Sequence, residues 1–381
     1  AGWETVKGAF HNRKYTGEML DIPVTLEVRN IVLSKHPSVP TGFFQNAETE
    51  AMFKLMTEIG TSDFGITPWA FQFKQDKDGN INPDAYQAVT EKMIENLKQH
   101  QEWGKKYGVS PTYFIGFSSY RTFQSLYNAK KDPAKSAKLW PQWVAAVKKL
   151  MNNNGVSDRD FAIETWDEPD PKWINELIST HISAKKAAPG VRLLLTLGAH
   201  IMSGADMEKL APYTDEWVLW SYGYFERPEH RTFVQKTLEQ GKKVRHYSCS
   251  TSMRAPLDLN YRRNAWLGEY NNLSGNMLFI FNDCYGGYGA SDFKVATEGG
   301  ITYRSFEEFM PSIRYMAMRQ GITDVKYLAK LRELGKDSPD AQKFLKEAPR
   351  RVVIDFGHDP SMPDKVREEA AALILKLQGN R

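Results

Sequence analysis

Phe161-Ala162-Ile163-Glu164-Thr165-Trp166-Asp167-Glu168-Pro169 is the stretch from which the fold can be read. An apolar–polar run opens it and two adjacent carboxylates close it, with a tryptophan in front and a proline behind. Proline has no N–H to donate and disfavours helix for the residue before it. The strand is therefore expected to stop at Pro169, with Glu168 held extended at its terminus. Acidic side chains at the carboxyl end of a buried parallel strand are where α/β barrels place reactive groups. Strand alternation sends neighbouring residues to opposite faces, so both acids reach one site only where the strand has just ended.

Working outward, apolar strands alternate with amphipathic helices, the order that implies a parallel sheet. The strand candidates are Ser62–Thr67, Tyr113–Phe117, Phe161–Trp166, Arg192–Leu197, Trp217–Tyr222, Val244–Ser248 and Asn276–Phe281. Helix candidates between them include Asp84–Tyr107, with Asn82 as cap and Pro83 in its first turn, and Pro171–Ala188, capped by Asp170 and stopped by Pro189-Gly190. Met207–Leu210 and His230–Gln240 read as two more. An eighth strand must precede Glu48. Val24–Leu33 alternates well and is either that strand or the last strand of an accessory β-domain, in which case Phe43-Phe44 begins the barrel. Eight βα units over this length predict a (β/α)₈ barrel. The expected division is 1–40 as an N-terminal segment, 41–335 as the barrel and 336–381 as a helical extension. The tail from Ser305 predicts helices Phe306–Arg319, Thr323–Leu334, Pro339–Lys346 and Pro363–Leu377.

With 381 residues, 41% hydrophobic and 25% charged, the chain can bury a sizeable core. A net charge of +4 spread along it forms no basic stripe, so nucleic acid is not an expected partner. No stretch approaches the length of a membrane-spanning helix. The chain opens at Ala1 rather than Met and shows no signal peptide; processing would have removed one, and an extracellular or periplasmic location is expected over a cytoplasmic one. Cys249 and Cys284 lie near the ends of consecutive strands, and side-chain geometry decides whether they bridge.

Retaining glycosidases commonly hold two carboxyls about 5–5.5 Å apart across a sugar, from different strands. An adjacent pair suits another plan, in which the nucleophile is the sugar's own 2-acetamido oxygen. One carboxylate then protonates the leaving oxygen while the other holds the acetamido N–H. The competing reading of the pair is a rim salt bridge or cap. Aromatic residues at strand ends could wall a sugar pocket: Trp69, Trp166, Trp220, Tyr222, Tyr247 and Trp266. Tyr222 could donate to an acetamido carbonyl; core packing is the alternative for any one of these rings. His200 and His246 lack a second His or Cys at ligand spacing, so zinc is not expected. Asp76-Lys77-Asp78-Gly79-Asn80 has its glycine out of register for a calcium loop and reads as a polar turn before a helix. Gly286-Gly287-Tyr288-Gly289 lacks the lysine of a phosphate loop and reads as a flexible loop over the barrel mouth. No G-x-S-x-G elbow is present.

Trp166-Asp167-Glu168-Pro169 resembles the catalytic Asp-Glu signature of glycoside hydrolase family 123, the β-N-acetylgalactosaminidases. Arg262-Arg263-Asn264-Ala265-Trp266, leading into Leu273-Ser274-Gly275-Asn276-Met277-Leu278, is similar to that family's Arg-x-x-x-Trp before the last strand. The block from Pro311-Ser312-Ile313-Arg314 to Arg319-Gln320-Gly321-Ile322-Thr323-Asp324 is similar to its PS-x-R…R-x-G-I-x-D helix. The resemblance covers about residues 24 to 335. It implies a retaining mechanism through an oxazolinium intermediate on an oligosaccharide or glycoconjugate, with no metal or cofactor. Asp167 would orient the acetamido group and Glu168 would be the general acid/base. The chain departs from the family in having at most one strand of the usual preceding β-sandwich, and in lacking a tryptophan in Asn282-Asp283-Cys284-Tyr285. Two other readings stay open: a hydrolase of a non-acetylated sugar with Asp283 or Glu226 as a remote partner, and a non-catalytic glycan-binding barrel.

Overall fold

The computed structural model describes residues 29–34, 37, 39–198, 200–248, 256–278, 281, 300–304, 309–355 and 359–379. The chain from Leu33 to Arg381 is one compact unit; of the segment before it only residues 29–32 are described, and they form no regular element. Most of Val24–Leu33 therefore lies outside the described residues. So do Cys249, Cys284 and the Gly286–Gly289 loop.

The strands are β1 (Thr41–Phe43), β2 (Thr61–Ile66), β3 (Phe73–Gln75), β4 (Ile81–Tyr86), β5 (Thr112–Ile115), β6 (Phe161–Asp167), β7 (Arg192–Leu197), β8 (Glu216–Trp220), β9 (Lys243–Ser248), β10 (Gly275–Leu278), β11 (Thr302–Arg304) and β12 (Phe309–Pro311). Eight of them close a parallel barrel in the order β1-β10-β9-β8-β7-β6-β5-β2. The expected (β/α)₈ fold is the fold found, and β1 begins two residues ahead of Phe43. Alternation sorts the strand side chains into two layers. Phe44, Phe114, Ala162, Leu194, Val218, Tyr247 and Met277 fill the interior, and residues such as Phe64, Ile163, Leu193, Leu195 and Trp217 face the helices.

The helices are α1 (Glu50–Glu58), α2 (Ala88–Tyr107), α3 (Ser119–Leu126), α4 (Pro133–Asn153), α5 (Ile174–Ala187), α6 (Gly204–Leu210), α7 (Pro228–Glu239), α8 (Arg263–Tyr270), α9 (Ile313–Leu334), α10 (Pro339–Val353) and α11 (Met362–Gly379). Two expectations change. The helix predicted from Asp84 begins only at Ala88, because residues 81–86 pair with β3 as an antiparallel hairpin. Its turn is closed by the Asp76 carboxylate, which accepts the N–H groups of Asp78 and Asn80 at 2.9 Å each. A strand, not a helix, follows that polar turn. The two helices predicted across Phe306–Leu334 become the hairpin β11–β12 and one unbroken α9. Gly321 stays inside α9 because a Cβ there would lie 2.1 Å from the Arg262 carbonyl oxygen. Glycine is the residue that permits that approach.

A charged layer occupies the lower part of the barrel. The Arg245 guanidinium, buried inside β9, lies 3.3 Å from Asp63 on β2 and 3.4 Å from Glu216 on β8. Arg192 also pairs with Glu216. Charges at the N-terminal face of such a barrel belong to its stability.

Candidate active site

A β-bulge decides what β6 presents to the barrel mouth. Glu164 pairs with Leu194, but the next partner, Leu195, is taken by Trp166, so Thr165 is the extra residue. A bulge re-aims every side chain that follows it. Thr165 turns outward, where its hydroxyl meets His181 on α5. Trp166 also turns outward, its ring stacked 5.7 Å from Tyr120 of α3. Asp167 then faces inward beside Thr196, its ladder partner. An unbulged strand would have pointed Trp166 into the barrel and Asp167 at the helices.

Glu168 leaves the strand by a sharp turn. Its N–H donates to the Thr196 carbonyl at 3.0 Å, and its φ is 45°. The extended conformation expected before Pro169 is thus replaced by the left-handed region. Proline excludes the right-handed helix for this residue, and the left-handed alternative costs on the order of 1–3 kcal/mol of strain, the kind retained at functional sites. The turn sends the Glu168 side chain over Gly198 to the far wall, where the Tyr247 hydroxyl on β9 donates to Oε1. Gly198 leaves the room for this path: a Cβ there would lie 2.0 Å from the Glu168 carboxyl carbon and displace the side chain. Asp170, as expected, is a cap, its carboxylate accepting the Lys172 N–H at 3.0 Å.

A third carboxylate lies beneath the pair. Glu164, fully buried in the barrel, accepts the Ser118 N–H at 3.1 Å on one oxygen and the Thr196 hydroxyl on the other. Burial, and then the charge of Asp167, holds its carboxyl well above the usual range. Ser118 and Phe117 are themselves left-handed, with φ of 56° and 63°. The Ser118 hydroxyl accepts the Asp167 N–H at 2.9 Å. Glu164 thereby ties the loop after β5 to β7 and to the Asp167 backbone.

Burial also pushes Asp167 up, from 3.8 to about 6; the Glu168 charge adds to the rise and the Arg121 guanidinium opposes it.

The mouth is walled by aromatic rings. Tyr247 and Phe44 meet edge to face at 6.1 Å, Phe44 and Phe117 lie 5.9 Å apart, and Trp220 meets Tyr222 at 5.8 Å. Trp220 packs on the barrel interior, while Tyr222 is 43% exposed. The structure thus gathers Asp167, Glu168, Trp220, Tyr222 and Tyr247 at one end of the barrel. Trp69 stands in a 3₁₀ turn after β2, 49% exposed, with no ring contact to that wall among the described residues. Trp166 faces the helix layer and is 3% exposed. Trp266 is fully buried on α8, and its indole N–H donates to Asp324 at 3.3 Å.

The blocks around Trp266 and Arg314 meet each other. Asp324 also pairs with Arg262 at 2.7 Å, Arg262 with Asp364 at 2.8 Å, and Gly321 abuts the Arg262 carbonyl. They dock α9 and α11 on the segment before α8. Sequence reasoning missed Glu164, Gly198 and Arg121. Glu164 did carry a signal, being a charged residue at an inward position two along from Ala162. Among the described residues no group of three or more His, Cys, Asp or Glu is placed to hold a metal ion, and no helix is long and apolar enough to cross a membrane.

No protein-family model matches the sequence and no curated protein aligns with it. An endo-1,4-β-mannanase from Rhizomucor miehei is 8% identical with a TM-score of 0.48, over 79% of this chain and 96% of that one. A D-psicose 3-epimerase from Clostridium cellulolyticum H10 is 11% identical at a TM-score of 0.44, over 76% and 98%. A GH138 enzyme targeting pectin rhamnogalacturonan II is 9% identical at 0.45, over 83% of this chain and 45% of its own, so this chain spans less than half of that enzyme. At identities and scores this low, nothing about reaction or substrate follows from the likeness.

Proposed function

We propose that this barrel is a retaining glycoside hydrolase that cleaves β-linked N-acetylhexosaminides, N-acetylgalactosamine foremost, with the substrate's acetamido oxygen as nucleophile. The observation that carries the reading is the pair Asp167–Glu168, turned toward the barrel mouth by a bulge and a left-handed residue and rimmed by Tyr247, Trp220 and Tyr222. Glu168 protonates the glycosidic oxygen as the acetamido carbonyl oxygen closes on the anomeric carbon. The Tyr247 hydroxyl occupies Oε1 and leaves Oε2 to carry that proton. Asp167, ionised above about pH 6, accepts the acetamido N–H and favours the developing oxazolinium charge. Glu168 then takes a proton from water as it opens the ring, returning the sugar with retained configuration. Aromatic rings at the mouth supply stacking surface for the sugar's C–H face.

The test is hydrolysis of aryl N-acetyl-β-galactosaminide and -glucosaminide, then of an intact N-acetylated glycan, by wild type and Glu168→Gln. The proposal expects turnover that Glu168→Gln abolishes with the fold intact, and strong inhibition by a thiazoline analogue of the N-acetylated sugar. Equal cleavage of non-acetylated glycosides with no thiazoline effect refutes substrate assistance.

A further inference from the structure

Behind Trp166, on the outer side of β6, lies a groove between α3, α4 and α5 that the catalytic pair does not use. Its cavity is about 770 Å³, within the range of small-molecule sites. Aromatic rings form its walls: Tyr120 stacks on Trp166 at 5.7 Å, Trp166 faces Trp173 at 6.2 Å, and Trp140 meets Tyr120 edge-on at 5.2 Å. Trp173 is 39% exposed at the groove's edge.

Three polar groups in this lining make no hydrogen bond or ion pair through their side chains among the described residues. The Trp166 indole N–H is buried without an acceptor, which costs free energy unless a ligand or water supplies one. The Arg121 side chain has no ion pair among the described residues, only its position 4.9 Å over the Trp166 ring. The Glu176 carboxylate is likewise unpaired there. Flat aromatic surface combined with separate unpaired donors and an acceptor fits a ligand with apolar C–H faces and a rim of hydroxyls. The Glu176 carboxylate in the same lining as the Arg121 cation disfavours a phosphate or a polyanion.

We propose that this groove is a second carbohydrate site, holding a part of a glycan chain distant from the bond cleaved, with Trp173 as its stacking platform. The choice of a glycan rests on the hydrolase reading; the existence of a ligand site does not. Arg121 joins the two sites, since the same guanidinium lies over Trp166 and favours ionised Asp167.

The experiment measures binding of chitotetraose, xylotetraose and a galactosaminogalactan fragment by ligand-observed NMR, with the Glu168→Gln chain to prevent turnover. Trp173→Ala removes the platform, and Ser179→Trp fills the groove from the exposed face of α5 without deleting an aromatic. The proposal expects at least one oligosaccharide to bind and each groove substitution to weaken it about tenfold or more. In chains with Glu168 intact, both substitutions leave aryl glycoside hydrolysis unchanged while the KM of the oligosaccharide rises. If no oligosaccharide binds, or binding survives both substitutions, the groove is not a sugar site. Binding that needs Trp173 in a chain that cleaves no glycoside keeps the groove and refutes the hydrolase.

Discussion

Replacing Asp167 by asparagine is expected to remove activity and to stabilise the fold at neutral pH. The Asp167 carboxyl rises from 3.8 to about 6 on folding, burial being the largest cause. The proton is therefore bound more tightly in the folded chain than in the unfolded one. Below pH 4 both states hold it and no penalty is felt. As pH climbs from about 4 to about 6 the unfolded chain ionises first, and folding loses stability until the native carboxyl ionises too. Each pH unit of separation is worth about 1.4 kcal/mol, so the full penalty is about 3 kcal/mol. Asparagine is nearly isosteric and carries no such charge. Urea unfolding of both proteins from pH 3.5 to 8 reads the difference directly. The expected result is near-equality at the acid end, with the variant gaining about 3 kcal/mol by pH 7. A difference that is flat with pH, or a variant less stable at pH 7 than at pH 4 relative to wild type, refutes the view that Asp167 is an ionised group held in a poorly solvated site.

Arg121→Gln removes the cation that favours ionised Asp167, so the acidic limb of the kcat/KM profile is expected to move to higher pH; a limb that stays put refutes that role for the guanidinium. Gly198→Ala places a Cβ 2.0 Å from the Glu168 carboxyl carbon. Activity is expected to fall at least about 100-fold with an unchanged circular dichroism spectrum, and near-normal turnover would show that Glu168 does not cross the mouth as described. Arg245→Met leaves Asp63 buried without its cation and is expected to cost about 3–5 kcal/mol in urea unfolding. A loss under about 1 kcal/mol would mean that the lower barrel layer is solvated.

Much of the barrel was legible from local pattern. Arg192–Leu197 is a strand at its expected bounds, and the strands predicted between Ser62 and Ser248 differ from those found by only one or two residues at either end, because apolar runs between polar turns carry their own signal. Helix α2 was misread at its start. Asn82-Pro83 has the chemistry of a helix entry, and only pairing with Phe73–Gln75 turns that segment into a strand. Trp166 and Trp266 looked alike on paper as aromatic residues near strand ends. One faces the helices because of a single extra residue in β6, and the other is held by Asp324, fifty-eight positions away.

The sequence by itself determined the parallel barrel and the placing of Asp167 and Glu168 at the carboxyl end of a strand, since period-two alternation and a following proline act within a few residues. Tertiary structure alone decided which way each side chain turned. The bulge at Thr165 exists only in register with β7, the path of Glu168 only over Gly198 to Tyr247, and the raised proton affinity of Asp167 only through its burial in the folded barrel beside Glu168. Register, close approach and burial are properties of neighbouring strands, and no window of a single strand contains them.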